Sequence, residues 1–268
     1  MPITVAIATI GVTGLACSAI LAVAARFFAV HEDPRVEEAT AILPGLNCGG
    51  CGYAGCSEYA RAIVTSGVPL NLCGPGGPEA AQALAHYMGV EIDMHERKVA
   101  FVLCGGDDAQ AARKFSYNGV ADCTAAAAVD GGDRLCGFAC LGYGSCSRIC
   151  PANAIEMLPG RLAVVHPEIC ISCSACVRAC PRKIIKMIPA SRTIHVRCSS
   201  KDKGPVVKQA CRVGCIGCTI CAKLVEHGEI KMEGALAVVD YAQPLQNDIL
   251  VEKCPGHCIV NLPVLQEA

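Results

Sequence analysis

The stretch I-C-I-S-C-S-A-C-V-R-A-C-P, residues 169–181, carries the most specific signal in the chain. Its cysteines follow the spacing C-x2-C-x2-C-x3-C-P, with thiols at Cys170, Cys173, Cys176 and Cys180. This spacing binds [4Fe–4S] clusters in bacterial two-cluster domains, where the fourth cysteine of one run ligates the other cluster. A second run is therefore expected close by in the sequence.

The second run lies upstream, in C-G-F-A-C-L-G-Y-G-S-C-S-R-I-C-P at residues 136–151. Its cysteines are separated by three, five and three residues, so the run is a stretched form of the same motif. Exchange of the fourth ligands predicts one cluster on Cys136, Cys140, Cys146 and Cys180. It predicts another on Cys170, Cys173, Cys176 and Cys150. Together with a hairpin at residues 154–166, the two runs predict a bacterial ferredoxin-like domain of the βαβ type over residues 131–190.

The same pattern returns in an incomplete form over residues 191–268. Three cysteines of a first run are present, at Cys215, Cys218 and Cys221. The spacing of the first repeat places four further ligand positions at residues without a thiol: Val225, Pro244, Asn247 and Leu250. Because these four positions make up one cluster, that cluster is lost as a unit. Cys254 remains, with Pro255 after it, and the pattern predicts it as the fourth ligand of the surviving cluster.

A separate group of cysteines lies nearer the N-terminus, in N-C-G-G-C-G-Y-A-G-C and N-L-C-G-P-G-G-P-E. Its members are Cys48, Cys51, Cys56 and Cys73. Three close thiols and one distant thiol can hold a four-iron cluster, and the glycines let the backbone wrap around it. Zinc is the alternative, although C-x2-C-x4-C is not a common zinc spacing. We expect a small helical [4Fe–4S] domain over residues 31–98.

The first 25 residues carry no charged side chain, and the apolar run continues beyond Arg26 through residues 27–30. At about 1.5 Å per residue, a helix of this length spans a bilayer. A cleavable signal peptide is the alternative, but no basic residue precedes the run. We therefore expect a single-pass anchor over residues 1–30 in the inner (cytoplasmic) membrane. Because the first basic residues, Arg26 and Arg35, follow the span, the positive-inside rule predicts that the C-terminal arm lies in the cytoplasm.

The composition narrows the function. The cytoplasm keeps thiols reduced, so 22 cysteines in 268 residues indicate metal ligands rather than disulfides. With 23 basic and 24 acidic residues there is no basic stripe for nucleic acid. No G-x-G-x-x-G follows a predicted strand and no acid–base pair stands out, so we expect no catalytic residue and no nicotinamide or flavin site. The locally basic residues 197–208 are either a solvated loop or a docking surface for an acidic electron carrier.

Four further cysteines lie in pairs on either side of the first ferredoxin-like repeat: Cys104, Cys123, Cys198 and Cys211. The two runs of that repeat pack antiparallel, which would bring the flanking segments together. We therefore predict a fifth cluster on these four thiols, in addition to the four clusters above. The alternative is four unrelated buried thiols. Residues 99–130 are predicted as a connecting segment, and Cys17 and Cys258 receive no role.

The order of these motifs resembles the B subunit of the Rnf-type ion-translocating electron-transport complexes. The resemblance covers nearly the whole chain and rests on the single anchor and on L-P-G-L-N-C-G-G-C-G-Y-A-G-C, N-L-C-G-P-G-G-P-E, C-L-G-Y-G-S-C and V-R-C-S-S-K-D-K-G. It implies a membrane-anchored iron–sulfur subunit that accepts electrons from reduced soluble ferredoxin and passes them to the other subunits of a membrane complex. Such a complex is a translocase that couples ferredoxin:NAD oxidoreduction to Na⁺ or H⁺ translocation. The incomplete last repeat departs from the family pattern.

Two other functions stay open from the sequence. A stand-alone membrane polyferredoxin, similar to Rsx-type systems, would reduce a regulatory protein or another oxidoreductase. A structural zinc protein would use the same cysteines without redox chemistry. Co-purification with several membrane subunits would argue against the stand-alone polyferredoxin. An iron–sulfur absorption spectrum would argue against the zinc protein.

Overall fold

The computed structural model of the protein describes residues 2–28, 33–92 and 96–262. The predicted end of the apolar run at Ala29 and Val30 lies outside these ranges, as do residues 263–268 at the end of the predicted second repeat. The described part has the predicted α+β class. It consists of one N-terminal helix, a small helical domain and two ferredoxin-like repeats in series.

Helix α1, Pro2–Phe27, forms the predicted anchor segment. Its stretch Ile7–Phe27 is long and apolar enough to cross a membrane, and no other helix in the described ranges is. The described part of the chain leaves this stretch uncovered, and Ile10 and Leu15 are 72% and 74% exposed. A helix that is apolar all round and uncovered is suited to lipid rather than to water.

The helical domain follows, and its cysteines lie on the loops around a small core. Its helices are α2 Pro34–Ile42, α3 Cys56–Ser66 and α4 Gly77–Met88. Gly67 and Gly89 end α3 and α4 in the left-handed conformation, at φ 61° and 67°, which glycine adopts without steric cost. Tyr59, Ile63 and Leu84 are buried between the helices. The Tyr59 hydroxyl donates to the carbonyl O of Pro69 at 2.8 Å, which fixes the loop that leads to the next cysteine.

Four antiparallel strand pairs build the two repeats. They are β1 Lys98–Val102 with β4 Ile185–Pro189, β2 Ile155–Leu158 with β3 Leu162–Val165, β5 Ile194–Val196 with β8 Ile259–Asn261, and β6 Ile230–Glu233 with β7 Leu236–Val239. In each repeat the hairpin is internal, and the outer pair joins the strand before the cysteine runs to the strand after them. The segment 99–130 therefore shares the sheet of the first repeat through β1, and it is more than a connection.

Short helices lie within or next to the cysteine-rich segments of the two repeats. They are α5 Cys123–Ala128, α6 Ser145–Arg148, α7 Ala175–Ala179, α8 Gly204–Ala210, α9 Ile220–Lys223 and α10 Ile249–Glu252. The two repeats can be aligned on their hairpins. The strands I-E-M-L and L-A-V-V of the first repeat match I-K-M-E and L-A-V-V of the second, so residue 155 corresponds to residue 230 and residue 162 to residue 236. In this register α6 corresponds to α9 and α7 to α10.

Apolar side chains fill the second repeat at positions where the first repeat has cysteines. Leu250 in α10 takes the position of Cys176 in α7 and is 1% exposed. Leu245 is buried in the same core, and Val225 packs against it. A small domain needs either a metal centre or an apolar core to be stable, so these substitutions replace cluster ligation with packing.

We expect Leu250→Ala to destabilise the second repeat by about 2–5 kcal/mol, the usual cost of truncating a buried leucine. The iron content should stay unchanged, because the substitution removes no thiol. Ile249→Ala is the matched control, since Ile249 is 52% exposed in the same helix. Anaerobic denaturant unfolding and iron analysis of the three proteins test this. Loss of iron in Leu250→Ala alone would show that a cluster depends on this position.

The two repeats meet through a stack of aromatic rings. His195 of β5 lies between Phe101 of β1 and Tyr241, with ring centroids 4.5 and 5.7 Å away. Its Nδ1 is 3.0 Å from the Tyr241 hydroxyl. Burial lowers the pKa of His195 to about 4, so the ring is neutral at pH 7 and packs as an uncharged group.

Candidate iron–sulfur centres

The first site lies in the helical domain. One cavity is lined by Cys48, Cys51, Cys56 and Cys73. The loop that enters α3 supplies the first three thiols, and the backbone N–H of Cys56 donates to Oδ1 of Asn47 at 2.8 Å. A Cβ on Gly76 would lie 3.1 Å from Sγ of Cys73, so a glycine there leaves room for the thiol. The structure brings together the four cysteines predicted for this domain.

The second site draws on both runs of the first repeat. Its thiols are Cys150, Cys170, Cys173 and Cys176. Burial raises the pKa of Cys176 to about 12, and the nearby thiolates of the other three cysteines add to the rise. The Cys150 thiol accepts the backbone N–H of Ala154 at 3.3 Å, which holds it toward the other run. The fourth cysteine of the upstream run thus reaches the downstream run, as ligand exchange requires.

The third site differs from the predicted set in one cysteine. One cavity is lined by Cys123, Cys140, Cys146 and Cys180. Cys136, which the sequence spacing placed here, lies in another cavity. Cys123 begins α5, and its backbone N–H donates to Oγ of Ser145 at 2.7 Å. This bond ties α5 to α6 and delivers the fourth thiol from outside the run.

Tyr143 explains why the run needs a thiol from elsewhere. In the register of the two hairpins, Tyr143 stands where the second repeat has Cys218, so the first run lacks its second cysteine. The Tyr143 hydroxyl donates to Oδ2 of Asp133 at 3.0 Å, and the guanidinium of Arg161 lies 4.9 Å from the ring centroid. The signal was therefore present in the sequence, since aligning the repeats on their hairpins excludes Cys136 from the run.

A buried ionic network fixes this tyrosine and the loop that precedes Cys136. Arg161 bridges Asp108 and Asp133 at 3.1 and 2.9 Å, and Arg134 lies 2.7 Å from Asp108. Asp133 and Arg134 are 0% exposed. Burial alone would raise the pKa of Asp133, but the hydrogen bonds from Arg161 and Tyr143 outweigh burial and lower it. These charged residues are distant in the sequence and come together only through the fold.

The fourth site lies between the repeats. One cavity is lined by Cys104, Cys136, Cys198 and Cys211. Three of these belong to the set predicted for a fifth cluster, and Cys136 takes the place of Cys123. Cys104 follows strand β1, and Cys198 follows the equivalent strand β5. Cys136 lies four residues before Cys140, and Cys211 lies four residues before Cys215. Each repeat thus contributes one equivalent pair of thiols.

The fifth site lies in the second repeat and is lined by five thiols. They are Cys215, Cys218, Cys221, Cys254 and Cys258. The Sγ atoms of Cys254 and Cys258 are 3.7 Å apart. A hydrogen bond from Cys258 lowers the pKa of Cys254 to about 5 and that of Cys215 to about 6. Those same bonds, together with burial, raise the pKa of Cys258. Cys254 lies where the repeat pattern predicts it, and Cys258 is an additional thiol that the pattern does not predict.

The first and second sites are in direct contact. The pKa of Cys173 is raised mainly by burial, and the nearby Cys48 thiolate raises it further. Thiols of the two sites are therefore close neighbours. A Cβ on Gly50 would lie 2.8 Å from the carbonyl O of Cys173, and a Cβ on Gly74 would overlap the carbonyl O of Ser172. These two glycines allow the helical domain to approach the first repeat this closely.

The third site adjoins both the second and the fourth. Burial raises the pKa of Cys146 to about 12, and Cys176 of the second site is among the neighbours that add to it. The backbone N–H of Cys140 donates to the Sγ of Cys104, in the fourth site, at 3.4 Å. Thiols of successive sites are therefore neighbours here as well.

The fourth site adjoins the fifth. Burial raises the pKa of Cys198 to about 11, and the backbone N–H of Cys215 donates to this thiol. The five sites thus form an unbroken series from the helical domain to the second repeat. In the fifth site Cys218 is exposed, so this end of the series reaches the surface.

The donor sets fit four-iron clusters better than single metal ions. All 22 cysteines are free thiols. Within residues 2–28, 33–92 and 96–262, no three His, Cys, Asp or Glu side chains converge as they would around one ion. In four of the five sites the thiols line one common cavity, as the thiolates around an iron–sulfur core do.

Comparison with protein families supports iron–sulfur binding in two regions. A family described as "Putative Fe-S cluster" matches residues 43–75, which contain the thiols of the first site. A family described as a 4Fe-4S dicluster domain matches residues 136–185, which contain both runs of the first repeat.

Comparison with curated proteins covers nearly the whole chain. The B subunit of an ion-translocating oxidoreductase complex from Methanosarcina acetivorans is 38% identical over 94% of this chain and 96% of its own length. The B subunit of a Na(+)-translocating ferredoxin:NAD(+) oxidoreductase complex from Acetobacterium woodii is 40% identical over 96% of this chain and 77% of its own length. The B subunit of a proton-translocating ferredoxin:NAD(+) oxidoreductase complex from Clostridium ljungdahlii is 38% identical, with coverages of 92% and 88%. The chain therefore belongs to the family of B subunits of Rnf-type ion-translocating oxidoreductase complexes.

Proposed function

We propose that the protein is the iron–sulfur electron-transfer subunit of a membrane complex that couples ferredoxin:NAD oxidoreduction to Na⁺ or H⁺ translocation. The observation that carries the proposal is a series of five adjoining cysteine sites, four of which are thiol-lined cavities. The described part of the chain also has one apolar N-terminal helix long enough to cross a membrane. The names of the relatives favour this function over a stand-alone polyferredoxin. They include both Na⁺ and proton translocation, so the coupling ion is left open.

Five sets of four cysteines would hold the clusters. They are Cys48, Cys51, Cys56 and Cys73; Cys150, Cys170, Cys173 and Cys176; Cys123, Cys140, Cys146 and Cys180; Cys104, Cys136, Cys198 and Cys211; and Cys215, Cys218, Cys221 and Cys254. A bound [4Fe–4S] cluster supplies one-electron transfer at low potential.

The protein contributes spacing, shielding and hydrogen bonds. Close approach at Gly50 and Gly74 keeps the helical domain against the first repeat, and the Cys104–Cys140 contact keeps the third site against the fourth. Most of the thiols are buried or half-buried, which excludes water and oxidants from them. Backbone N–H groups donate to thiols, as at Cys150, and such bonds help to set the potential of a cluster.

The surface at the fifth site is suited to an acidic electron donor such as ferredoxin. Cys218 is exposed there, and Lys253 lines the same cavity. Lys223 ends the neighbouring helix α9. Lysines beside an exposed thiol attract an acidic partner. The positive-inside rule supports an arm in the cytoplasm, where this surface would meet soluble ferredoxin directly.

Inverted membrane vesicles of the source cells provide the test. Reduced ferredoxin added outside should drive NAD⁺ reduction, and a tagged form of this chain should co-purify from these membranes with multi-span subunits. Protease added outside should digest the arm and abolish the activity. An arm protected in inverted vesicles would contradict the orientation, and purification without membrane partners would contradict the assignment to a complex.

A further inference from the structure

Five thiols line the cavity of the fifth site, but a four-iron cluster needs only four ligands. Cys258 is the thiol that the proposed ligand set does not use. It is 3% exposed, and its Sγ is 3.7 Å from the Sγ of Cys254. It also lies within hydrogen-bonding reach of Cys215. A disulfide has its sulfurs about 2.05 Å apart, so Cys258 and Cys254 are two thiols in contact rather than a bonded pair. Cys258 thus touches two residues that the proposed function treats as ligands, and any role for it depends on that ligand set.

The first repeat contains the matched position without a thiol. Counting four residues from Cys180 gives Ile184, and counting four from Cys254 gives Cys258. Ile184 is 2% exposed and lines the cavity of the third site, as Cys258 lines that of the fifth. An isoleucine therefore meets the packing needs of this position. The second repeat has instead placed a polar S–H group against its cluster site.

The chemistry of the pair fixes which sulfur donates. Cys215 and Cys254 must be thiolates to bind iron, and a thiolate only accepts hydrogen bonds. A third negative charge buried beside them would be costly, so Cys258 keeps its proton. A thiol is a weak donor, but an anionic acceptor strengthens the bond.

We propose that Cys258 is a positioning residue that donates its S–H to the Cys254 and Cys215 thiolates and thereby raises the reduction potential of the fifth-site cluster. Hydrogen bonds to ligand sulfurs stabilise the more negative, reduced state. The effect is confined to the end of the series that reaches the surface, where Cys218 is exposed. A higher potential there favours acceptance of electrons from a partner docked on this surface.

Redox titration of the anaerobically purified full chain, followed by electron paramagnetic resonance, tests the proposal. The signal that Cys254→Ala removes identifies the fifth-site cluster. In Cys258→Ile, which installs the residue of the first repeat, iron content should be unchanged and this signal should titrate at lower potential. The expected shift is up to about tenfold in the reduced-to-oxidised ratio, which is 59 mV for a one-electron couple. Cys258→Ser keeps a donor and should retain or raise the native potential.

The reciprocal variant Ile184→Cys should raise the potential of the third-site cluster, since it places a thiol at the equivalent position. An unchanged potential in Cys258→Ile at full iron content would overturn the proposal. A loss of about four irons in that variant would also overturn it, because Cys258 would then be a ligand. If Cys254→Ala removes no signal, the ligand set of the proposed function is itself wrong, and this outcome is distinct from the other two.

Discussion

Replacing Cys136 and Cys140 together with alanine should remove about eight irons from the chain, two four-iron clusters at once. The reason is that the two thiols line different cavities, Cys140 in the third site and Cys136 in the fourth. The matched variant Cys123→Ala/Cys140→Ala should remove only about four irons, since both of its thiols line the third site. Iron and acid-labile sulfide per chain, measured on anaerobically purified protein, give the answer.

The spacing of the cysteines in the sequence predicts the reverse result for these two proteins. With Cys136 in the ferredoxin-like run, the Cys136/Cys140 variant would lose one cluster and the Cys123/Cys140 variant two. That outcome would contradict the assignment of thiols to cavities. Both double variants should elute at the volume of the native chain in gel filtration, which separates loss of a cluster from loss of the fold.

Replacing Gly74 with alanine should slow electron transfer between the helical domain and the first repeat while leaving the iron content unchanged. Its Cβ would overlap the carbonyl O of Ser172, and backbone on both sides prevents a local adjustment. The helical domain must then move away from the second site. Small displacements of pre-organised groups slow a reaction steeply, and we expect ferredoxin-dependent NAD⁺ reduction to fall on the order of tenfold or more.

Gly137→Ala is the matched control for this substitution. Gly137 directly follows Cys136 as Gly74 directly follows Cys73, but no atom lies within 4 Å of a Cβ built on Gly137. This variant should retain the native rate in membranes that carry it in place of the native chain. A native rate in Gly74→Ala at full iron content would show that this contact does not hold the two sites together. A loss of iron there would show that Gly74 supports Cys73 instead.

Local patterns were sufficient to predict much of the fold. The hairpin predicted at residues 154–166 appears as β2 and β3, with Arg161 at φ 54° in its turn. The repeated run, the lost cluster and the position of Cys254 all follow from counting residues within one repeat. Such counting works because the hairpin and the runs are short, and few alternative arrangements connect them.

The exchange of Cys123 and Cys136 was beyond simple spacing. Cys123 reaches the third site through α5 and its bond to Ser145, a contact between residues that are distant in the sequence. Cys136 is also closer to Cys140 in the chain, so spacing alone selects it. Only an alignment of the two repeats shows Tyr143 where Cys218 stands, and that comparison identifies the missing ligand position.

The order of the five sites in space could not be predicted either. It depends on the close approach of Gly50 and Gly74 to the distant loop at residues 172–173, and on the pairing of β1 with β4. A glycine in a sequence signals a turn as readily as a contact. The sequence therefore indicates which cysteines are candidate cluster ligands. The fold determines which of these cysteines share a site.

The iron content of the fully loaded native chain tests the central claim most directly. Five four-iron clusters predict about 20 irons and 20 acid-labile sulfides per chain after anaerobic purification. The Cys104→Ala/Cys198→Ala variant should retain about 16 of each, because both thiols line the fourth site. The fourth site would be contradicted if the native chain held only about 16 irons and the double variant held the same number. The proposed series of sites would then be interrupted between the third and the fifth.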